Sequence, residues 1–273
     1  MKSGYRGEKV MAKNSNRYTL KLNGRTVSVD DIPAHKIVVP VSGGKDSQAS
    51  LKMACDQYGS ENVIGLFCDT KWEHPLTYKH VKKLQKIYNI SIYWINAGSV
   101  EQMIIKYKRF PASNIRFCTK ELKIYPSKWF YSDLSERFSF EVWYGMRSDE
   151  SNKRASRYAE KEATELYRPH EVLADYPQYL GKRGVMFKLP ILSWSAVQVL
   201  DYLDGLENPL YSSGFRRVGC FPCLASTPKD HQNSFNVDFF GKGQKNRIMK
   251  LEEVIGKKHE PANTGQACMF CNI

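Results

Sequence analysis

The stretch Ile37-Val38-Val39-Pro40-Val41-Ser42-Gly43-Gly44-Lys45-Asp46-Ser47 decides the fold. An apolar run of strand length passes into two adjacent glycines and then into a helix-patterned segment. Strand, glycine turn and helix in that order make a cradle for a pyrophosphate. Adjacent glycines permit positive φ and close backbone approach, and the amides at the helix start converge at the positive end of its dipole. Ser42 and Ser47 add hydroxyl donors at both ends of the turn. Gly-Gly and Asp-Ser are also ordinary surface-turn residues, but the flanking strand and helix favour the cradle. The motif is not a Walker loop, which has four residues between its glycines and a Gly-Lys-Ser or Gly-Lys-Thr ending.

From Ile37 onward, apolar runs alternate with helical patterns, which specifies an α/β fold: a parallel twisted sheet with helices on both faces. Residues 63–68, 90–95 and 138–144 read as further strands and 75–88 as a helix. Ligands of such open sheets sit beyond the carboxyl ends of strands near a switch point. The glycine loop, Asp69-Thr70 and Gly145-Met146-Arg147 all fall at such ends. Asp69, directly after the second strand, is placed either to hydrogen-bond a ribose or adenine amine or to cap a helix. Residues 1–33 read as a basic tail and a hairpin, with alternation around Asn23-Gly24. Residues 34–215 read as a nucleotide-binding domain and 216–273 as a cysteine-bearing extension that holds a metal or cluster. No repeat or low-complexity tract interrupts this order.

The composition, 42% apolar over 273 residues, supports a buried core. No run of eighteen apolar residues and no apolar leader segment is present, so neither a membrane span nor a signal peptide is expected and the cytoplasm is the expected location. Seven cysteines, an odd number with two Cys-x-x-Cys pairs, fit reduced thiols and metal ligation better than a disulfide framework. The formal net charge of +13 fits a polyanion such as DNA or tRNA, or a phosphate-rich nucleotide with the remaining charges solvated.

The hexapeptide Ser42-Gly43-Gly44-Lys45-Asp46-Ser47 resembles the signature of the N-type ATP pyrophosphatases, the PP-loop superfamily, which cleave ATP between its α and β phosphates. Asp69-Thr70-Lys71-Trp72-Glu73-His74-Pro75 resembles a segment of the phosphoadenosine phosphosulfate (PAPS) reductases. Three more strings extend that likeness over roughly residues 36 to 225. They are Arg116-Phe117-Cys118-Thr119-Lys120-Glu121-Leu122-Lys123; Gly145-Met146-Arg147-Ser148-Asp149-Glu150-Ser151 with Arg154; and Asn208-Pro209-Leu210-Tyr211 followed by Gly219-Cys220-Phe221-Pro222-Cys223. Together the strings resemble the PAPS reductase-like branch of the adenine nucleotide α-hydrolase fold. The resemblance implies that Gly145, Arg147, Arg154, Lys120 and Lys123 lie around the nucleotide phosphates, as guanidinium and ammonium chemistry favours. Surface ion pairing is the plainer alternative for each cation.

Cys220-x-x-Cys223 and Cys268-x-x-Cys271 form two chelating pairs, a pattern that suits Zn2+ or an iron-sulfur cluster equally. The similarity to iron-sulfur adenylyl-sulfate reductases implies a [4Fe-4S] cluster on Cys118, Cys220 and Cys223, with Cys268 or Cys271 completing it. Cys55 and Cys68 read as buried fillers.

Two departures bear on activity. The C-terminal Glu-Cys-Gly-Leu-His motif of the reductases is absent, and the glycine loop is the full form found in enzymes that bind all of ATP with Mg2+. The resemblance therefore implies an ATP pyrophosphatase that activates a substrate, nucleic acid above all, for sulfur transfer, as in the PAPS reductase-like protein of DNA phosphorothioation. Lys45, Asp46 and Arg147 would serve catalysis, and a cysteine desulfurase could supply sulfur. The alternatives are a sulfonucleotide reductase that releases sulfite with a thioredoxin-like donor, and a non-catalytic nucleotide-binding partner in a larger assembly. Elsewhere, 189–203 reads as a loop, an N-cap and an amphipathic helix, 150–167 as a solvated helix, and 242–258 as a basic amphipathic helix with Ile248, Leu251, Val254 and Ile255 apolar.

Overall fold

The computed structural model describes residues 17–261. Seven strands form one sheet in the order β2-β1-β5-β4-β3-β6-β7. They are β1 (Thr19–Leu22), β2 (Arg25–Thr26), β3 (Ile37–Pro40), β4 (Val63–Cys68), β5 (Ser91–Asn96), β6 (Phe140–Trp143) and β7 (Val185–Lys188). The last five pair in parallel, and the β1-β2 hairpin adds antiparallel at the edge of β5. The chain steps from β3 through β4 to β5 on one side and then returns to lay β6 and β7 on the other. The switch point therefore lies between β3 and β6, where open sheets of this type bind ligands.

The helices are α1 (Lys45–Tyr58), α2 (Pro75–Ile87), α3 (Val100–Tyr107), α4 (Phe117–Thr119), α5 (Tyr125–Leu134), α6 (Asn152–Arg157), α7 (Pro169–Val172), α8 (Gln178–Lys182), α9 (Ala196–Leu203), α10 (Pro228–Asn236) and α11 (Phe239–Ile255). A single π-helical turn, Lys120–Ile124, joins α4 to α5. Alternation along the buried strands assigns the two faces. Ile37, Val39 and Val41 pack with Leu51 and Ala54 of α1 and Val81 and Leu84 of α2. Val38, Ile64 and Leu66 face the other way, onto Phe130, Tyr131 and Leu134 of α5. Helices thus cover both faces of the sheet, as the strand pattern predicts.

Pro40 sits in a central strand, where a missing N–H normally costs a ladder bond. Here β3 pairs with β6 only at Ile37 and Val38, while Val41 N–H donates to Leu66 O on the opposite side. The proline therefore occupies the edge where β3 and β6 part, and that parting opens the crevice. At the carboxyl end, α11 packs on α10 and α3, burying Ile248 and Leu251 beside Val100, Ile104 and Trp72.

Two sequence expectations change. Residues 150–167 form only the short α6, with Arg154 and Tyr158 buried, because both side chains find interior partners. In α11, Val254 is exposed, while Ile248 and Leu251 carry the buried face. No helix among the described residues is long and apolar enough to cross a membrane.

Candidate nucleotide site and cysteine cavity

The glycine loop lies between the end of β3 and the start of α1. Gly43 has φ +77, a conformation that favours glycine, and a Cβ there would stand 2.6 Å from Thr77 Cγ2. Gly44 is the N-cap of α1 and supplies no side-chain cap, so the first-turn amides are left to other partners. The two serines brace the loop from within. Ser47 Oγ accepts from Ser42 N–H at 3.1 Å and donates to Gly44 O at 2.9 Å, and Ser42 Oγ accepts from Gly44 N–H at 3.3 Å. Asn208 clamps the turn from outside, its amide donating to Gly43 O at 3.1 Å and to Thr77 Oγ1 at 3.3 Å. Tyr211 OH accepts from Lys45 N–H at 2.9 Å.

A buried charge cluster stands at the same point. Lys45 Nζ lies 3.1 Å from both Asp46 oxygens, and Arg147 Nε donates to Asp46 Oδ1 at 2.6 Å. Arg147 also pairs with Asp149 and reaches Trp194 O at 3.4 Å. Lys45, Asp46 and Arg147 are each about one-twentieth exposed or less. Burial holds the Lys45 ammonium below the ordinary lysine value, with Asp46 opposing the shift and Arg147 adding to it. Gly145 makes this meeting of β6 and α1 possible, since a Cβ there would stand 2.3 Å from Asp46 O. Lys45 and Arg147 thus share the buried Asp46 carboxylate, and Arg147 has Asp149 as a second partner at the more exposed side.

The loop after β4 forms the other rim. Asp69 accepts from Tyr78 OH at 2.9 Å and from Lys71 N–H at 3.1 Å, and it also pairs with the Lys71 ammonium. Tyr78 OH lies 2.9 Å from Glu73 as well, and burial pushes the Glu73 carboxyl above the usual carboxylate range. Thr70 Oγ1 lies 3.7 Å from Cys220 Sγ, and Glu73 Oε1 lies 3.9 Å from the same sulfur.

Behind that rim, Cys118, Cys220 and Cys223 line one cavity together with Thr70, Arg116 and Lys123. They come from two distant parts of the chain. Trp72 stands between those parts: its indole N–H donates to Pro222 O at 3.0 Å, its carbonyl accepts from Phe221 N–H at 2.8 Å, and its ring shares an apolar cluster with Leu122. His231 and His259 donate to Cys223 O at 3.0 Å and Leu224 O at 2.8 Å, fixing the Cys220-x-x-Cys223 loop of that wall. Among the described residues, no group of three or more His, Cys, Asp or Glu side chains is drawn close enough to hold a metal ion as it stands. Cys268 and Cys271 lie outside the described residues.

The remaining expected residues are distributed unevenly. Lys123 is buried in the cavity wall, whereas Lys120 is half exposed beside Asp175 and Tyr125. Arg154 is buried against Glu150, which also pairs with Arg217. Cys55 and Cys68 stand apart from the cavity, and burial pushes both thiols up to about 11. The sequence reading missed the parts played by Asn208, Tyr211, Trp72, Glu73 and Arg116. All lie within quoted strings, but their partners are distant in sequence, so spacing alone carried no signal.

The model of the phosphoadenosine phosphosulfate reductase domain matches residues 36–226, more than half of the chain. The chain belongs to this PAPS reductase domain family. The matched span holds the glycine loop, Asp69-Thr70, Gly145-Met146-Arg147 and the three cavity cysteines. An uncharacterised protein of Methanocaldococcus jannaschii is 30% identical over 69% of this chain and 36% of its own length. A second from the same organism is 27% identical over 68% of this chain and 40% of its own. The chain therefore spans two fifths or less of these curated relatives. Among solved structures, it is similar to the PAPS reductase of Candida auris in a phosphate complex, with 18% identity, TM-score 0.45, and coverage of 71% of this chain and 84% of that one. The corresponding figures for the NMN synthetase of Francisella tularensis are 13%, 0.41, 84% and 80%. This PAPS reductase domain carries both a complete Ser-Gly-Gly-Lys-Asp-Ser loop and three cysteines on one cavity.

Proposed function

We propose that this PAPS reductase-like chain binds ATP at the glycine loop, cleaves it to AMP and pyrophosphate, and activates a nucleic acid for sulfur transfer. The observation that carries this reading is the buried Lys45-Asp46-Arg147 cluster set against the start of α1, whose N-cap Gly44 offers no side chain, at the switch point. An acceptor oxygen attacks the α-phosphorus, the bond from that phosphorus to the bridging oxygen breaks, and pyrophosphate leaves with the electron pair. The α1 amides, Lys45 and Arg147 meet the charge that grows on the leaving group. A sulfur nucleophile then displaces AMP. Asp46 is committed to its two cations, so its part is to orient them. Mg2+ would enter as the ATP complex, because the loop offers no spare carboxylate.

The wall formed by Cys118, Cys220 and Cys223, completed by Cys268 or Cys271, suits a [4Fe-4S] cluster, and with the four paired cysteines Zn2+ is the alternative. A cluster there would supply a place to hold or relay sulfur beside the nucleotide. The net charge of +13 supports DNA or tRNA as the acceptor, and the reduced thiols fit a cytoplasmic setting with a cysteine desulfurase as sulfur source.

The family match itself favours a second reading, reduction of PAPS or a related sulfonucleotide to sulfite with a thioredoxin-like donor. One experiment separates the readings. Full-length protein purified without oxygen is given ATP, with and without DNA or tRNA, and pyrophosphate is measured; in parallel it is given PAPS with reduced thioredoxin, and sulfite is measured. Pyrophosphate release stimulated by nucleic acid is expected. Sulfite from PAPS with no turnover of ATP would overturn the proposal, and nucleotide binding without either product would leave a non-catalytic partner.

A further inference from the structure

Tyr211 reaches the glycine loop from a segment 166 residues away, and its hydroxyl oxygen sits at the N-terminus of α1. That oxygen accepts the Lys45 N–H at 2.9 Å. It lies close above Gly44, 3.3 Å from where a Cβ would stand. A phenol oxygen that receives an amide through a lone pair keeps its own proton to donate. Among the described residues that proton has no protein acceptor, while the Lys45 ammonium stands 5.7 Å from the centre of the tyrosine ring.

Position and polarity agree. The start of α1 and the Lys45-Asp46-Arg147 cluster both attract an anion, and a hydroxyl held among them with a spare proton donates to whatever anion arrives. The segment that carries it is itself fixed: Asn208 caps the short helix Pro209–Ser213 and bonds Gly43 O, while Leu210 is buried. Tyr211 is therefore placed by the same clamp that shapes the loop, and it reaches the loop as a rigid donor.

We propose that Tyr211 is a phosphate-binding residue, its hydroxyl donating to an oxygen of the pyrophosphate held by the loop. This rests on the reading that the loop holds the β and γ phosphates of ATP. It follows that Tyr211 discriminates nucleotides with a pyrophosphate tail from AMP, which lacks one.

The test is calorimetric binding of pyrophosphate and of AMP to wild-type protein and to Tyr211→Phe, with thermal melts of the ligand-free proteins. The expected result is a loss of roughly 10-fold or more in pyrophosphate affinity, as for a hydrogen bond to a charged group, with AMP affinity unchanged. A purely structural role would weaken both ligands together and lower the melting temperature, and that pattern overturns the proposal. So does unchanged or tighter pyrophosphate binding, which would make the tyrosine inert or a competitor for the anion position. If Tyr211→Phe does not fold, Tyr211→His is measured instead. It keeps a ring and a donor, so pyrophosphate affinity within a few-fold of wild type supports the proposal, and a loss beyond 10-fold with AMP binding intact overturns it. Wild-type protein that binds AMP but no pyrophosphate would instead remove the reading of the loop on which this rests.

Discussion

The ammonium of Lys45 lies 3.1 Å from Asp46, and the Arg147 guanidinium lies 2.6 Å from the same carboxylate. Lys45 is the member of this trio whose charge is adjustable, because burial already holds its pKa below 10.5. An arriving pyrophosphate favours the ammonium, so binding takes up a proton wherever the free protein has lost it. Affinity for pyrophosphate is therefore expected to fall as pH rises through a point below 10.5, with proton uptake visible as a buffer-dependent heat. Lys45→Met should bind roughly 10- to 100-fold more weakly at neutral pH, as when a hydrogen bond to a charged group is lost, and should lose that pH dependence. A pH profile identical in the two proteins would remove Lys45 from the site. At this scale the sequence was legible where interactions are local. Ser42 to Ser47 form one turn, and their adjacency already implied a cradle. Asn208 and Tyr211 close the same turn from more than 160 residues away, which no spacing rule could connect. Ser42 and Ser47, read as anion donors, are engaged in bracing the loop, a part that depends on φ and ψ values that residue type alone does not set.

The start of α1 and the end of β6 approach so closely at Gly145 that a Cβ would stand 2.3 Å from Asp46 O and 2.6 Å from Ser47 N. The obstacle is backbone, so accommodation must separate the two elements. Gly145→Ala is expected to destabilise the protein by about 1–3 kcal/mol, in the range of overpacked cores, and to weaken nucleotide binding because the loop is displaced. Gly243→Ala is the matching control: it lies within α11 with nothing near its Cβ position, so helix propensity predicts a gain of up to about 1 kcal/mol. Paired thermal melts decide the matter, and a Gly145→Ala protein as stable as wild type would show that the junction is loose. Elements were legible from the sequence in proportion to their periodicity. Strands β3, β4, β5 and β6 and helices α1, α2 and α9 follow from apolar runs and caps such as Ser195. Strand β7 escaped notice because Val185–Lys188 is four residues long and flanked by Gly184. The stretch 150–167 read as a solvated helix because its charges alternate, yet Glu150 and Arg154 bury each other and end that pattern at α6.

Across the whole molecule, the sheet and its crossovers bring together Cys118, from the turn before the π-helical segment, and the Cys220-x-x-Cys223 loop beyond α9. Sequence order could suggest this convergence only through family resemblance, because the two pieces meet at Trp72, a third part of the chain that bonds Pro222 and packs in one apolar cluster with Leu122. Cys55 and Cys68 act as an internal contrast. Burial keeps their thiols protonated to about 11, and a protonated thiol is a poor ligand for iron or zinc. Replacement of Cys118, Cys220 or Cys223 by Ser is therefore expected to cut iron content and the broad absorbance near about 400 nm of anaerobically purified protein, while Cys55→Ser and Cys68→Ser retain both. Cys268→Ser and Cys271→Ser sort the tail, since only the true fourth ligand should behave like the cavity cysteines. Colourless protein that carries zinc, lost on substitution at any of the four paired cysteines, would replace the cluster with a structural metal. Cys118→Ser then decides between the two arrangements, because only the cluster enlists the thiol of α4, in the same cavity wall as Lys123.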